Sequence, residues 1–221
     1  MAKVAVVLSG CGVFDGSEIH EAVCTLLALD RAGAEIVFAA PDVDQAHVVN
    51  HNVGEPEEGA RRNVRVEAAR IARGEVMDLA QLKVADVDAV IFPGGFGAAK
   101  NLCTYAFDGR DMKVHPEAER VTLEAVRSAK PLGTMCISPV LTAKVLADSG
   151  FNVTVTIGND EGTAADIEHF GARHQSCAVD AIVVDQNTRV VSTPAYMLAG
   201  SIKEAAAGIE KLVSAVLEMC R

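Results

Sequence analysis

Tryptophan is absent from the 221 residues, and only two Tyr and seven Phe are present. The apolar half of the chain is therefore mostly Ala, Val, Leu and Ile, a mixture that suits parallel strands covered by close-packed helices. Basic charge is also short. Lys and Arg number 20 against 30 Asp and Glu, a formal net charge of -10. A nucleic-acid binder needs a basic face to neutralise phosphates, and docking on anionic lipid needs the same, so neither partner is expected. No apolar run reaches the roughly 18 residues that a membrane span requires. The six cysteines, Cys11, Cys24, Cys103, Cys136, Cys177 and Cys220, show neither CxxC nor zinc-knuckle spacing. They read as reduced thiols of a cytoplasmic chain, most of them small core hydrophobes. Repeats, low-complexity segments, linkers and a GxxxxGKS phosphate loop are lacking as well.

What remains is an alternation of short apolar runs and amphipathic stretches, within a length that suits one domain over 1–221. MAKVAVVLSG has a superficial look of a signal peptide, but the Gly-Cys-Gly and acidic residues that follow fit a first core strand, Val4 to Leu8. Ser17 to Ala32 reads as a helix with Ile19, Val23, Leu26 and Leu27 on its inner face, stopped by Gly33. Glu35 to Ala40 is a second strand. A polar excursion over about 42–80 follows, with a helical stretch from Asn63 to Arg73. Strands are expected at Asp88 to Phe92, Pro131 to Met135, Val153 to Ile157 and Ala181 to Val184, with Arg189 to Ser192 as a hairpin arm. Helices are expected at His115 to Ala129, Ser138 to Ser149 (Ser138 as N-cap, Pro139 in the first turn) and Leu198 to Met219. The fold class is α/β: a doubly wound, mostly parallel sheet sandwiched by helices.

In such sheets the functional crevice lies at the carboxyl ends of the strands. Three strand ends compete: Ser9-Gly10-Cys11-Gly12, Pro93-Gly94-Gly95 and Thr134-Met135-Cys136-Ile137-Ser138. The third has the order of a nucleophile elbow, in which a reactive residue sits on a tight turn between a strand and a helix. The helix N-terminus aims free N–H groups at that side chain and would lower the pKa of a thiol. The plainer alternative is a cysteine that fills space. Gly94 and Gly95 permit close approach of backbone N–H groups, so that Gly95 with Ile137 could form an oxyanion hole; the pair could equally serve a tight turn. Glu18 and Glu21, three apart on the first helix, could poise the thiol, or could only complement the helix dipole. His20 lies about 100° round the helix from each and is not expected to share their target. His169 and His174 come late enough to return to the crevice. Cys11 could form a redox pair with Cys136, and Lys100 could meet an acidic substrate or product.

SGCGVFDGSEIHEA, PGGFGAAKN, PLGTMCISP and VSTPAYML, in that order, resemble the ThiJ/PfpI superfamily, and more narrowly its ElbB branch, the isoprenoid-biosynthesis glyoxalases. The resemblance covers essentially the whole chain, including NHNVGEP and RNVRVEAARIARGE. It implies a flavodoxin-like, class I glutamine-amidotransferase-like fold, a homodimer, and an elbow cysteine at Cys136. It also implies an acidic partner at Glu21, with Glu18 as fallback, an oxyanion glycine at Gly95, and a distant histidine near His174. Protease-like members carry His directly after the cysteine, where this chain has Ile137. The expected activity is that of a hydro-lyase of the glyoxalase III kind, needing no cofactor or metal, that converts glyoxal or methylglyoxal and water to the 2-hydroxy acid. A redox-sensing thiol with little turnover is the rival from another class, and an amidase or peptidase a third reading.

Overall fold

The computed structural model describes residues 1–220. The chain runs through β1 (Lys3–Val7), α1 (Ile19–Arg31) and β2 (Glu35–Ala40) before the excursion. The excursion holds a hairpin of β3 (Val49–Asn50) and β4 (Glu55–Pro56), then α2 (Val64–Ala72) and β5 (Met77–Asp78). Next come β6 (Ala89–Phe92), α3 (Phe96–Lys100), α4 (Tyr105–Asp108), α5 (Pro116–Arg127), β7 (Leu132–Met135) and α6 (Ser138–Asp148). The last third contains β8 (Thr154–Val155), α7 (Glu161–His169), β9 (Arg173–His174), β10 (Val183–Asp185), β11 (Val190–Thr193) and α8 (Ile202–Met219).

Seven strands form one sheet in the order β10-β11-β7-β6-β1-β2-β5. Every pairing is parallel except that of β10 with β11, so the late hairpin forms as the sequence implies. Successive residues of each strand face opposite sides of the sheet. Ala5, Val7, Val90, Phe92 and Leu132 pack toward α5 and α6, while Val4, Val6, Ile91 and Val191 pack toward α1, α2 and α8. The central strands β1 and β6 are thus almost wholly apolar, as strands covered on both faces are.

Three expectations are corrected. Val153 to Ile157 does not extend the main sheet. Only Thr154–Val155 is strand, and it pairs in parallel with β9 in a separate two-stranded sheet. Ser138 is the first helical residue of α6 and not its cap; its hydroxyl donates to the Pro93 carbonyl at 2.7 Å, which ties two strand ends together. The third concerns α1. Its buried face is Glu21, Ala22, Thr25 and Leu29, whereas Ile19, Val23 and Leu27 are exposed. The helix carries apolar residues on two sides, and periodicity alone chose the wrong one. Turning the other side inward places Glu21 over the strand ends, where the Thr25 hydroxyl donates to the Glu21 carbonyl at 2.8 Å.

Helix α8 lies close over β11 because residue 208 is glycine. A Cβ at Gly208 would stand 2.5 Å from Thr193 Oγ1 and 2.7 Å from the Val179 carbonyl oxygen. Gly208→Ala is therefore expected to lower stability by about 1–3 kcal/mol, the usual cost of overpacking a filled interior. Urea unfolding reads this directly, and an unchanged midpoint would show that the helix can back away without loss.

Candidate functional site

Four chain segments converge beyond the carboxyl ends of the central strands. Residue Cys136 follows β7 at φ 59°, in the left-handed region that a non-glycine residue adopts only under constraint. Its N–H donates to the Thr193 carbonyl at 3.1 Å, so the end of β11 helps to hold the turn. Helix α6 begins two residues later. This is the strand–turn–helix anatomy of an elbow.

The Pro93-Gly94-Gly95 turn faces it. A Cβ at Gly94 would fall 2.4 Å from the Cys136 Cβ and 2.6 Å from Glu21 Oε2. Any side chain there would displace one or the other. At Gly95, φ is 94°, and a Cβ would stand 2.3 Å from the Glu18 backbone nitrogen. The turn is also knitted to the loop after β1: the Glu18 N–H donates to the Gly94 carbonyl at 3.0 Å and the Phe96 N–H to the Val13 carbonyl at 2.7 Å.

Glu21 is completely buried. Its Oε2 accepts the Gly94 N–H at 2.9 Å and its Oε1 accepts the Tyr196 N–H at 3.1 Å, and the Cys136 thiol adjoins it, since a Cβ at Gly94 would fall 2.9 Å from Sγ and 2.6 Å from Oε2. Burial pushes its carboxyl up to about 7, the Tyr196 N–H pulls it back, and the nearby charge of Glu18 raises it further. Burial and the Glu21 carboxylate likewise push the Cys136 thiol well above its ordinary value, while the N–H groups of Gly95 and Ile137 oppose this. The expectation of a depressed thiol pKa therefore does not hold for the site as it stands. Helix-terminal N–H groups are present, but burial beside a carboxylate outweighs them. The Glu21 charge thus holds the neighbouring thiol in its protonated form.

A cavity of about 230 Å³ opens over the sulfur. Val13, Phe96, Ile137 and Met197 make its walls apolar, Gly95 and Cys136 form its floor, and Glu18 and Tyr196 complete it. Glu18 is the N-cap of α1, its Oε2 accepting the Glu21 N–H at 2.7 Å, so it supports Glu21 through the backbone. Among the described residues no Lys or Arg lines the cavity. Among the described residues no three His, Cys, Asp or Glu side chains converge as a metal ion would need.

The remaining candidates stand elsewhere. The His174 ring accepts the Ile157 N–H at Nε2, 3.3 Å, in the small β8–β9 sheet, and does not line the cavity. His169 is exposed in the last turn of α7. Cys11 packs against the core on the α1 side and lies outside the cavity lining. Lys100 donates to the Phe14 carbonyl at 2.9 Å and lies over the Phe96 ring, bracing the loop behind the cavity without entering it. His20, by contrast, does reach the site indirectly: its Nδ1 is 2.8 Å from the Tyr196 hydroxyl. Tyr196 itself was passed over in the sequence, although it sits in the VSTPAYML motif directly after β11, where a strand-end residue could have been suspected.

No family model matches the chain. It is 51% identical to human glutamine amidotransferase-like class 1 domain-containing protein 3, mitochondrial, over 227 residues, covering 99% of this chain and 83% of that protein. The chain belongs to the glutamine amidotransferase-like class 1 domain proteins. The zebrafish ES1 protein, also named mitochondrial, is 37% identical over 209 residues, covering 88% of this chain and 77% of that one. A crystal structure of an isoprenoid biosynthesis protein with amidotransferase-like domain from Ehrlichia chaffeensis superposes with a TM-score of 0.93 at 38% identity, over 100% of both chains. Drosophila DJ-1beta shares the fold at a TM-score of 0.56 and 17% identity, covering 99% of this chain and 97% of that one. The amidotransferase-like, flavodoxin-like architecture expected from the motifs is thereby established. The cytoplasmic expectation rests on cysteine spacing alone, since the animal relatives are named for mitochondria.

Glu21 leaves a signature in stability. Its carboxyl protonates near 7 in the folded chain against an ordinary 4.5, so between those values the folded state holds more protons than the unfolded one. Stability contributed by the protonated form is full below about pH 4.5 and falls as pH rises through 7. Relative to Glu21→Gln, which cannot titrate, the wild type is expected to lose on the order of 3 kcal/mol between pH 4.5 and 8. Denaturant melts of both proteins across that range test this, and parallel curves would show that Glu21 ionises normally.

Proposed function

We propose that this protein is a cofactor-independent glyoxalase acting on a small neutral 2-oxoaldehyde such as glyoxal or methylglyoxal. The observation that carries the reading is a thiol and a completely buried carboxyl side by side under a small apolar cavity, with the Gly95 and Ile137 N–H groups at the sulfur. Carboxylates without a neighbouring cation disfavour anionic substrates, and apolar walls suit an uncharged one.

In this mechanism Glu21 takes the thiol proton and Cys136 Sγ adds to the aldehyde carbon, forming the carbon–sulfur bond while the carbonyl pair moves to oxygen. The Gly95 and Ile137 N–H groups stabilise that oxygen, which then recovers the proton from Glu21 as a hemithioacetal hydroxyl. The Glu21 carboxylate next removes the hydrogen from the same carbon; the freed pair makes a double bond to the neighbouring carbonyl carbon while that carbonyl's π pair moves onto its oxygen, which takes up a proton. Glu21 later returns its proton to that neighbouring carbon as the hydroxyl of the first carbon releases one to become a carbonyl, leaving a thioester that water cleaves to the 2-hydroxy acid and free thiol. A carboxyl poised near 7 suits both directions of transfer at neutral pH.

The amidase or peptidase reading loses support, because no histidine lines the cavity and Ile137 occupies the position after the cysteine. The redox-sensing reading keeps the Gly95 and Ile137 N–H groups, which could equally hold the oxygens of an oxidised sulfur. The homodimer implied by the family resemblance would use the exposed line of Ile19, Val23 and Leu27 on α1, spaced four apart and 42%, 47% and 44% exposed.

Cys136→Ala is expected to abolish conversion of methylglyoxal to lactate, and Glu21→Gln to slow it by roughly 100-fold or more. Full activity in Cys136→Ala overturns the mechanism. A kcat/KM far below the range of about 10⁴–10⁸ M⁻¹s⁻¹, with rapid mass gain at Cys136 under mild peroxide, favours the sensor instead. Val23→Glu is expected to halve the mass measured by light scattering; a dimer that survives it places the contact elsewhere.

A further inference from the structure

Building on the glyoxalase reading, we propose that Tyr196 and His20 form the proton-delivery route of the site, with Tyr196 as a catalytic acid and His20 as the positioning residue that exchanges its proton with solvent. The chemistry in which Glu21 moves a proton between neighbouring carbons leaves a gap. When the carbon–hydrogen pair becomes the double bond of the enediol, the π pair of the second carbonyl moves onto its oxygen. That oxygen needs a proton. Glu21 is then carrying the carbon-derived proton, and the Gly95 and Ile137 N–H groups serve the first oxygen.

Tyr196 is placed to fill the gap. It lines the cavity together with Cys136 and Glu18, and its backbone N–H fixes it to Glu21 Oε1 at 3.1 Å. Burial and the surrounding carboxylates keep its hydroxyl protonated, as a donor must be. The His20 Nδ1 lies 2.8 Å from that hydroxyl, the two rings are tilted at a centroid distance of 5.8 Å, and the His20 side chain is 49% exposed. Glu18 Oε1 stands 3.8 Å from the same nitrogen. A half-buried phenol thus connects the reaction cavity to a ring in contact with solvent.

The step balances. The oxygen of the second carbon takes the phenol proton, the phenolate takes a proton from the His20 ring, and that ring regains one from water. One proton enters at that oxygen. One leaves the hydroxyl of the first carbon for solvent when the thioester carbonyl forms. Because Glu21 returns its own proton to the second carbon, the route adds no net charge to the buried site. The same arrangement accounts for a histidine that α1 presents to solvent one residue before its buried carboxylate.

The test uses the full chain with methylglyoxal, comparing wild type, Tyr196→Phe, His20→Ala and Cys136→Ala. Tyr196→Phe is expected to lower kcat by roughly 10- to 100-fold with little change in KM, since proton transfer and not binding is lost. His20→Ala is expected to lower kcat less, and added imidazole should restore it, because the missing ring faces solvent. Imidazole should not rescue Tyr196→Phe. Thermal melts check that both variants stay folded, and a lowered kcat that follows a lowered melting temperature counts against the proposal. Wild-type kcat in Tyr196→Phe overturns it, as does a His20→Ala defect that imidazole leaves untouched. A wild-type rate in Cys136→Ala, or no turnover by wild type, would instead bring down the glyoxalase reading and the relay with it.

Discussion

The Glu21 carboxyl is the tie on which the rest of the site depends. One oxygen holds the turn after β6 through the Gly94 N–H, the other holds the turn after β11 through the Tyr196 N–H, and the thiol after β7 meets it as well. Three consecutive strand ends are thus referred to one side chain from a helix that crosses above them. A buried carboxyl is costly to desolvate, and only such a set of donors makes its burial tolerable. The same donors that stabilise the fold locate the reacting atoms to within a hydrogen-bond length.

This tie explains why α1 turns an unexpected face inward. A helix whose inner side were Ile19, Val23 and Leu27 would bury more hydrocarbon, yet it would carry Glu21 away from the sulfur. The observed rotation leaves three large apolar side chains in water and places Ala22, Thr25 and Leu29 against the strands and α8. Here the requirement of the site and the simple apolar count point in opposite directions, and the site prevails.

The sheet was legible because its strands are covered on both faces and therefore read as unbroken apolar runs, and because Gly and Pro mark their ends. The elbow was legible for the same reason: a strand, one cysteine and a helix start stand in immediate succession. Glu21 could be narrowed to two carboxylates but not chosen from spacing alone, because Glu18 and Glu21 differ only in which one caps the helix and which one points inward. His174 could not be placed at all by residue pattern, since its position depends on a small side sheet, β8–β9, whose two-residue strands leave almost no periodic signal. The direction of the thiol's pKa was misjudged because helix-terminal N–H groups are visible in a sequence whereas burial beside a carboxylate is not.

Tyr196 was missed for a related reason. A residue whose backbone holds one catalytic group and whose side chain reaches another element 176 positions away leaves no local trace beyond its place after a strand. Its location nevertheless follows from the sheet. In a doubly wound fold every parallel strand delivers its next few residues to the same edge. The chain after β1 supplies Val13 and Glu18, the chain after β6 supplies Gly95 and Phe96, and the chain after β7 supplies Cys136 and Ile137. The chain after β11 must then supply the remaining wall, and it is there that a polar, ionisable side chain can touch the cavity without entering the apolar core. A phenol at that edge, hydrogen-bonded to an exposed imidazole of α1, joins the cavity wall to the helix that carries Glu21.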